Sequence, residues 1–264
     1  MKLTLLLVDD NALMIKFLHE ELSEKYTLFN AANGKEALQI LKEETVQLIV
    51  SDVMMPEMDG FELCHIIKSN IEFSHIPFIL LTAKNTLQSK VKGLELGADA
   101  YIEKPFSPEH LQAQISSLLS NRNKIKDYFA NSPLVHIKSM AYSKADEVFL
   151  EMLHEAIDKN INHADLDVEK IAGVMAMSRA TLYRKIKAIS NLTPNELINI
   201  TRLKKAAELL ADGSHKIYEV SELVGYHSQP NFTRSFLKQF GLTPSEYVSL
   251  KQAEKKIGNV NAQI

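Results

Sequence analysis

The first 121 residues alternate short aliphatic runs with helical stretches, and this alternation limits the folds that they can adopt. The aliphatic runs are 3–8, 26–30, 47–51, 77–82 and 100–103, and the helical stretches lie near 12–24, 35–44, 60–70, 86–97 and 108–121. Three of the runs are almost continuously aliphatic, which is typical of strands in a parallel sheet covered on both faces. Five successive strand–helix units therefore predict an α/β domain with a doubly wound parallel sheet.

Polar residues end four of the five predicted strands. Asp9 and Asp10 follow the first strand, Asp52 the third, Thr82 the fourth and Lys104 the fifth. Each residue alone has an ordinary explanation as a helix cap or strand end. Ligands of open parallel sheets bind outside the carboxyl ends of the strands, however, so neighbouring first and third strands would bring the set together. Carboxylate oxygens favour Mg²⁺, and such a set predicts a site for phosphoryl transfer to a carboxylate.

The charge of the chain is divided unequally. The whole sequence has a net charge of −3, whereas residues 1–120 carry −7 and residues 170–256 carry +7. A basic C-terminal half suggests that this part meets a polyanion, although a basic solvated face is also common. The longest apolar runs are far shorter than a membrane span, and we expect a cytoplasmic protein with no membrane insertion.

An internal repeat organises the helical C-terminal half. Residues 178–198 align without gaps on residues 228–248, and each copy ends in Thr-Pro-x-Glu, a capping box with proline in the first turn. Short helices at 168–176 and 216–224 precede the two copies. The pattern predicts two helix-turn-helix units, whose second helices enter the major groove of DNA. A helix over 194–211 would hold the two units apart.

Residues 3–121 resemble the receiver domain of two-component response regulators. The resemblance rests on the sequences at 7–11, 51–60, 81–83 and 97–106. It implies that Asp52 is the phosphoacceptor and that the Lys104–Pro105 bond is cis. It also implies that Mg²⁺ is bound by Asp10, Asp52 and the backbone carbonyl of Met54, with Asp9 acting through water. Further implied roles are phosphoryl contacts for Lys104 and Thr82, with Thr82 and Tyr101 as switch residues.

The C-terminal half is similar to AraC/XylS-type DNA-binding domains, on the sequences at 202–210 and 220–247. In the first unit we expect base contacts from Arg179, Tyr183 and Arg184. In the second we expect them from Gln229, Asn231, Thr233 and Arg234, because Arg reads guanine and Asn or Gln reads adenine. Lys185, Lys187 and Lys238 are expected to contact phosphates. For each residue, an ordinary solvated helix face is the alternative.

Together these features predict a response regulator transcription factor rather than an enzyme, apart from Mg²⁺-dependent self-phosphorylation and dephosphorylation at Asp52. Expected partners are a histidine kinase, promoter DNA and RNA polymerase. The resemblance also implies a homodimer formed on phosphorylation through 86–97, 100–103 and 108–121. The alternative is a phosphorelay receiver whose helical half docks proteins.

The expected domains are a receiver at 1–121, a linker at 122–145 that the tail of the fifth helix enters, a DNA-binding domain at 146–252 and a frayed tail at 253–264. The domain pair resembles the C-terminal end of hybrid sensor regulators of gut Bacteroidetes. The start immediately before the first strand fits a piece of such a protein, and a genomic reading frame that begins at Met1 would refute this.

Overall fold

The fold was analysed in a computed structural model that describes residues 2–83 and 95–261, with side chains to residue 255. The chain divides into two compact units, which are described separately below. The first comprises residues 1–124 and 141–149, and the second comprises residues 125–140 and 150–264. Most of the helical stretch predicted at 86–97 lies outside the described residues.

The first unit is built on a five-stranded parallel sheet. Its strands are β1 (Leu3–Val8), β2 (Tyr26–Ala31), β3 (Leu48–Asp52), β4 (Phe78–Ala83) and β5 (Ala100–Lys104). They lie in the order β2-β1-β3-β4-β5, and all neighbouring pairs are parallel. This confirms the predicted α/β fold and places the first and third strands side by side. Helices α1 (Ala12–Leu22), α2 (Gly34–Glu43), α3 (Gly60–Ser69) and α4 (Pro108–Asn131) follow strands of this sheet.

Alternate side chains of the central strands enter two separate apolar cores. Leu6 of β1 and Leu80 of β4 pack with α2 and α3 on one face of the sheet. Leu7 of β1 and Leu81 of β4 pack with α1 and the N-terminal part of α4 on the other. Both faces of the sheet are therefore covered, which explains why these strands read as continuous aliphatic runs.

A buried ionic cluster lies at the edge of the sheet opposite the strand-end acids. Asp99, directly before β5, accepts hydrogen bonds at 2.6 Å from both Lys68 of α3 and Arg122 of α4. Burial raises the pKa of Asp99, but these two cations outweigh that effect and the pKa lies below its ordinary value. Tyr142 stacks on the Arg122 guanidinium at 3.9 Å, and Asp146 accepts a hydrogen bond from the Ser74 hydroxyl at 2.7 Å.

The second unit is helical. After the C-terminal part of α4 comes a 3₁₀ turn at Ile137–Met140. The following helices are α5 (Lys144–Asp158), which begins in the first unit, α6 (Val168–Val174), α7 (Arg179–Ser190), α8 (Pro194–Asp212), α9 (Ile217–Leu223), α10 (Gln229–Phe240) and α11 (Pro244–Asn261). Apolar residues of α8, from Leu203 to Leu210, are buried with Phe232 and Phe236 of α10.

Both predicted capping boxes are present. Thr193 and Glu196 exchange side-chain and backbone hydrogen bonds at the start of α8, and Thr243 and Glu246 do the same at the start of α11. Each proline lies directly after the capping threonine, where its missing N–H costs no helical hydrogen bond. The repeated sequence therefore begins a helix at the same place in both copies.

The segment predicted as a linker contains ordered structure. Helix α4 extends to Asn131, because no helix-breaking residue occurs before Pro133. Arg122, Phe129, Ile137 and Met140 are buried. At the other end, the backbone of α11 is helical to Asn261, within the predicted tail. The domain boundaries stay a prediction, and residues 122–145 contribute side chains to both units.

None of the helices in the described parts of the chain has both the length and the apolar character needed to cross a membrane.

Candidate functional site

The structure brings three carboxylates together at the carboxyl ends of β1 and β3. Oxygen atoms of Asp9, Asp10 and Asp52 all lie within 4.8 Å of one another. The pairing of Val8 with Ser51 places the residues that follow them side by side. Asp9 is buried, Asp52 is 9% exposed and Asp10 is exposed. The backbone N–H of Asn11, which caps α1, donates to Asp9 Oδ1 at 2.9 Å and fixes that carboxylate.

Lys104 at the end of β5 joins this cluster. Its Nζ donates to Asp52 Oδ1 at 2.8 Å and to Asp9 Oδ2 at 3.0 Å. Burial lowers the pKa of Lys104, but the hydrogen bonds to the two carboxylates outweigh burial and raise that pKa above its ordinary value. Burial also raises the pKa of Asp9, against the opposing effect of the Asn11 and Lys104 hydrogen bonds. The Lys104 ammonium contacts two of the three carboxylates, so the negative charges of the cluster exceed its one positive charge.

The other residues predicted for this site are Thr82, next to the last residue of β4, Tyr101, the second residue of β5, and Met54, which follows β3. Thr82 is 6% exposed, and its hydroxyl donates to the carbonyl oxygen of Ala83 at 3.0 Å. Tyr101 of β5 packs against the apolar core, and among the described residues its buried hydroxyl has no hydrogen-bond partner. The side chain of Met54, in the loop after β3, is 73% exposed. The Lys104–Pro105 bond is cis, as the resemblance implied.

Gly60 is a residue of this site that the sequence analysis did not identify. A Cβ atom at this position would lie 2.1 Å from the carbonyl oxygen of Asp52, closer than any side chain tolerates. The Gly60 N–H also donates to the carbonyl oxygen of Val53 at 2.9 Å. The start of α3 therefore packs directly on the backbone that carries Asp52. Two signals in the sequence point to this position: Gly60 ends the segment 51–60 that carries the resemblance, and it follows Asp59, which caps α3.

The acidic cluster fits a hard divalent cation. All of its donors are carboxylate oxygens, which is the ligand type that Mg²⁺ prefers. Three negative charges so close together repel one another, and Lys104 offsets only part of that repulsion. Asp10 is exposed, so the cluster is open to solvent on one side.

In the second unit, α6 with α7 and α9 with α10 form two helix–turn–helix arrangements. Ser178 and Ser228 are the N-cap residues of α7 and α10, although only Ser178 caps with its side chain. The turn before α10 contains Gly225 at φ +79°, where a Cβ atom would lie 2.5 Å from the carbonyl oxygen of Ile161. Glycine is therefore needed at this turn for both its conformation and its close contact.

Most residues predicted to contact DNA are accessible. The exposed ones are Arg179, Tyr183, Arg184, Lys187, Gln229, Asn231, Arg234 and Lys238, and Thr233 is partly exposed. Arg179 forms an exposed ion pair with Glu169 at 3.1 Å. Lys187 Nζ donates to the carbonyl oxygen of Asn191 at 2.6 Å, at the end of its own helix.

Lys185 is an exception among them, because its side chain is only 1% exposed. Its helical spacing from Leu182 and Ile189 places it on the inner face of α7, and both neighbours are buried. The charge of Lys185 suggested a phosphate contact, whereas the helical periodicity indicates a buried position. In this structure Lys185 is not available to contact a phosphate, and we remove it from the set of candidate DNA contacts.

Known protein families match a segment in each half of the chain. A family model described as response regulator receiver domain matches residues 5–116, and one described as helix-turn-helix domain matches residues 171–249. "Histidine kinase P4" of Formosa agariphila is 40% identical over 246 residues, which are 93% of this chain and 18% of that protein. "Probable transcriptional regulator ycf27" of Cyanidium caldarium is 46% identical over 129 residues, 47% of this chain and 51% of that one.

Among solved structures, the signal receiver domain of a signal transduction histidine kinase from Syntrophus aciditrophicus is 38% identical. It covers 45% of this chain and 90% of its own length, with a TM-score of 0.43. The chain spans 18% and 51% of the lengths of the two curated relatives. Residues 5–116 therefore form a response regulator receiver domain, and residues 171–249 form a helix-turn-helix domain of the AraC type.

Proposed function

We propose that the chain is a response regulator transcription factor that accepts a phosphoryl group on Asp52 and binds promoter DNA through its two helix-turn-helix units. One observation carries the proposal. The Asp9, Asp10, Asp52 and Lys104 cluster lies on the same chain as two helix-turn-helix units with mostly exposed polar second helices. The proposed phosphodonor is a phosphohistidine of a histidine kinase, and a DNA partner implies a cytoplasmic location.

In the proposed transfer, a carboxylate oxygen of Asp52 attacks the phosphorus atom of the phosphohistidine. The P–N bond breaks, and the imidazole leaves with the electron pair and takes up a proton. Lys104 already contacts Asp52 at 2.8 Å, so its ammonium is placed to neutralise charge on the transferred group. Asp9, Asp10, Asp52 and the Met54 carbonyl would hold Mg²⁺, which supplies further charge neutralisation when bound.

Phosphorylation would add about −1.5 to −2 charge at the end of β3. The Thr82 hydroxyl now donates to a backbone carbonyl, and a new hydrogen bond to the phosphoryl group would contribute about 1.5–3 kcal/mol. Moving a two-state equilibrium from 1:99 to 99:1 takes about 5.5 kcal/mol. One hydrogen bond is therefore too weak. We propose that Lys104, reorientation of Tyr101 and formation of a homodimer supply the remainder.

Incubation with acetyl phosphate and MgCl₂, followed by phosphate-affinity electrophoresis, tests the first part of the proposal. Wild type should acquire a retarded band, and Asp52→Asn should not, because the amide cannot act as the nucleophile. Glu20→Gln, which neutralises an exposed carboxylate on α1, is the matched control and should behave like wild type. A retarded Asp52→Asn band, or none in wild type, would contradict the assignment. Light scattering with and without beryllofluoride tests the homodimer.

Duplex binding tests the second part. The logarithm of the association constant should fall with the logarithm of salt concentration by about 0.9 per phosphate contacted. Promoter fragments should be bound more tightly than random duplex. Equal affinity for both would instead favour a phosphorelay receiver whose helical unit docks a protein. RNA polymerase is a further proposed partner.

A further inference from the structure

The C-terminal end of α4 contacts both second helices of the helix-turn-helix units. We call residues 125–132 the brace segment. Lys126 Nζ donates to the Ala188 carbonyl at 2.8 Å and to Asn191 Oδ1 at 3.0 Å, at the C-terminal end of α7. Gln239, in the last turn of α10, donates from Nε2 to the Ala130 carbonyl at 2.8 Å. All of these residues belong to the second unit.

The brace segment is also attached to the helix between the two units. Lys204 of α8 donates to the carbonyl oxygen of Ser132, and its Nζ lies 4.5 Å from the centroid of the Phe129 ring. Phe129 is buried. The segment therefore has three attachments, one to each second helix and one to the helix that separates them.

The attachments to α7 and α10 lie at the ends of those helices that are not expected to read DNA. Ala188, Asn191 and Gln239 are in or beyond the last turns, whereas Arg179 and Gln229 open the first turns and are exposed. The second helix of such a unit reads bases with its N-terminal residues. The brace segment can therefore hold the two helices without covering the residues that would contact bases. Lys126 also faces the negative end of the α7 dipole, which favours a cation there.

We propose that the brace segment, through Lys126 and Gln239, sets the position of α7 relative to α10 and thereby determines which spacing between two DNA half-sites the chain binds most tightly. This inference rests on the proposed function, since it requires duplex DNA as the partner. Lys126 and Gln239 are positioning residues, because they act through the two helices and not by touching DNA. No sequence pattern indicated this role, because Lys126 lies in the predicted linker.

The test uses the full chain and duplexes selected by the wild type from a random library. From the preferred duplex we derive a series in which the spacing between the two half-sites changes in single base-pair steps. A further duplex keeps only one half-site. Dissociation constants are measured by fluorescence anisotropy for wild type, Lys126→Met, Gln239→Met and the double variant. Lys124→Met removes an exposed lysine from the same helix and is the matched control. Lys126→Arg, which keeps the donor, tests rescue.

Wild type should show one preferred spacing. The double variant should bind that spacing about tenfold more weakly, as expected for lost hydrogen bonds to a charged group, and should discriminate less between neighbouring spacings. Affinity for the single half-site should be unchanged, which excludes a general loss of folding. Lys124→Met and Lys126→Arg should retain the wild-type profile. An unchanged profile in the double variant, or equal losses on one and two half-sites, overturns the inference alone. A wild type that selects no duplex overturns the proposed function with it.

Discussion

The pKa values of two partly or largely buried lysines, Lys104 and Lys204, are shifted in opposite directions by their surroundings. Lys104 has two carboxylate partners within 3.0 Å, and its pKa lies above the ordinary value. Lys204 is also largely buried, but among the described residues it forms no ion pair and donates to a backbone carbonyl. Burial therefore lowers the pKa of Lys204 to about 8. An ammonium without a carboxylate partner costs stability at neutral pH.

This difference predicts how stability depends on pH. Between about pH 8 and 10.5 the unfolded chain keeps the Lys204 proton while the folded chain loses it, so protonation favours unfolding. The free energy of unfolding of wild type, relative to Lys204→Met, should rise with pH through this window by on the order of 3 kcal/mol at most. Urea unfolding followed by circular dichroism at pH 7 and above measures it. Lys144→Met, which removes an exposed lysine, controls for the lost charge. A difference that does not change with pH would contradict the prediction.

At the scale of elements, the candidate phosphorylation site depends on how closely α3 packs on the end of β3. Asp9, Asp52 and Lys104 are carried by strands with a fixed register, so their convergence follows from the order β1-β3-β4-β5. The position of α3 is different, because it depends on one residue without a side chain. Gly60 lies so close to the Asp52 carbonyl that any Cβ atom must displace the backbone.

Gly60→Ala should therefore lower the free energy of unfolding by about 1–3 kcal/mol, as in other overpacked sites. It should also slow phosphorylation by acetyl phosphate, because the displaced backbone carries Asp52. Gly173→Ala is the matched control, since its Cβ would meet no atom within 4 Å and it lies in helix α6. That variant should gain about 0.5–1 kcal/mol. Urea unfolding and electrophoresis measure both effects, and a Gly60→Ala variant as stable and reactive as wild type would refute this account of the site.

At the scale of the whole molecule, each compact unit is made of two separate segments of the chain. The second unit includes residues 125–140, and the first includes residues 141–149. Helix α4 is continuous from Pro108 to Asn131, so one helix supplies Leu111 to the core of the first unit and Phe129 to the second. The segment between the two expected domains is thus part of their folded structure.

A fragment that starts at residue 125 should accordingly be more stable than one that starts at the predicted boundary, residue 146. The shorter fragment lacks Phe129 and Ile137, which are both buried. Loss of each large apolar side chain costs about 2–5 kcal/mol, a large part of the stability of a domain. Thermal unfolding followed by circular dichroism should show a much lower midpoint, or no cooperative transition, for residues 146–264. Equal midpoints would support the predicted boundary.

The sequence by itself determined the features that repeat or alternate along the chain. The aliphatic runs predicted the strands. The positions of Asp9, Asp52 and Lys104 at strand ends predicted the phosphorylation site. The gapless repeat predicted two helix-turn-helix units. These signals are local, because each depends only on the period of a strand or helix and on its caps. Only the tertiary structure decided that Gly60 touches the backbone of Asp52 and that the brace segment contacts both α7 and α10. Those properties depend on which faces pack together over long separations in the chain, and no local pattern encodes that choice.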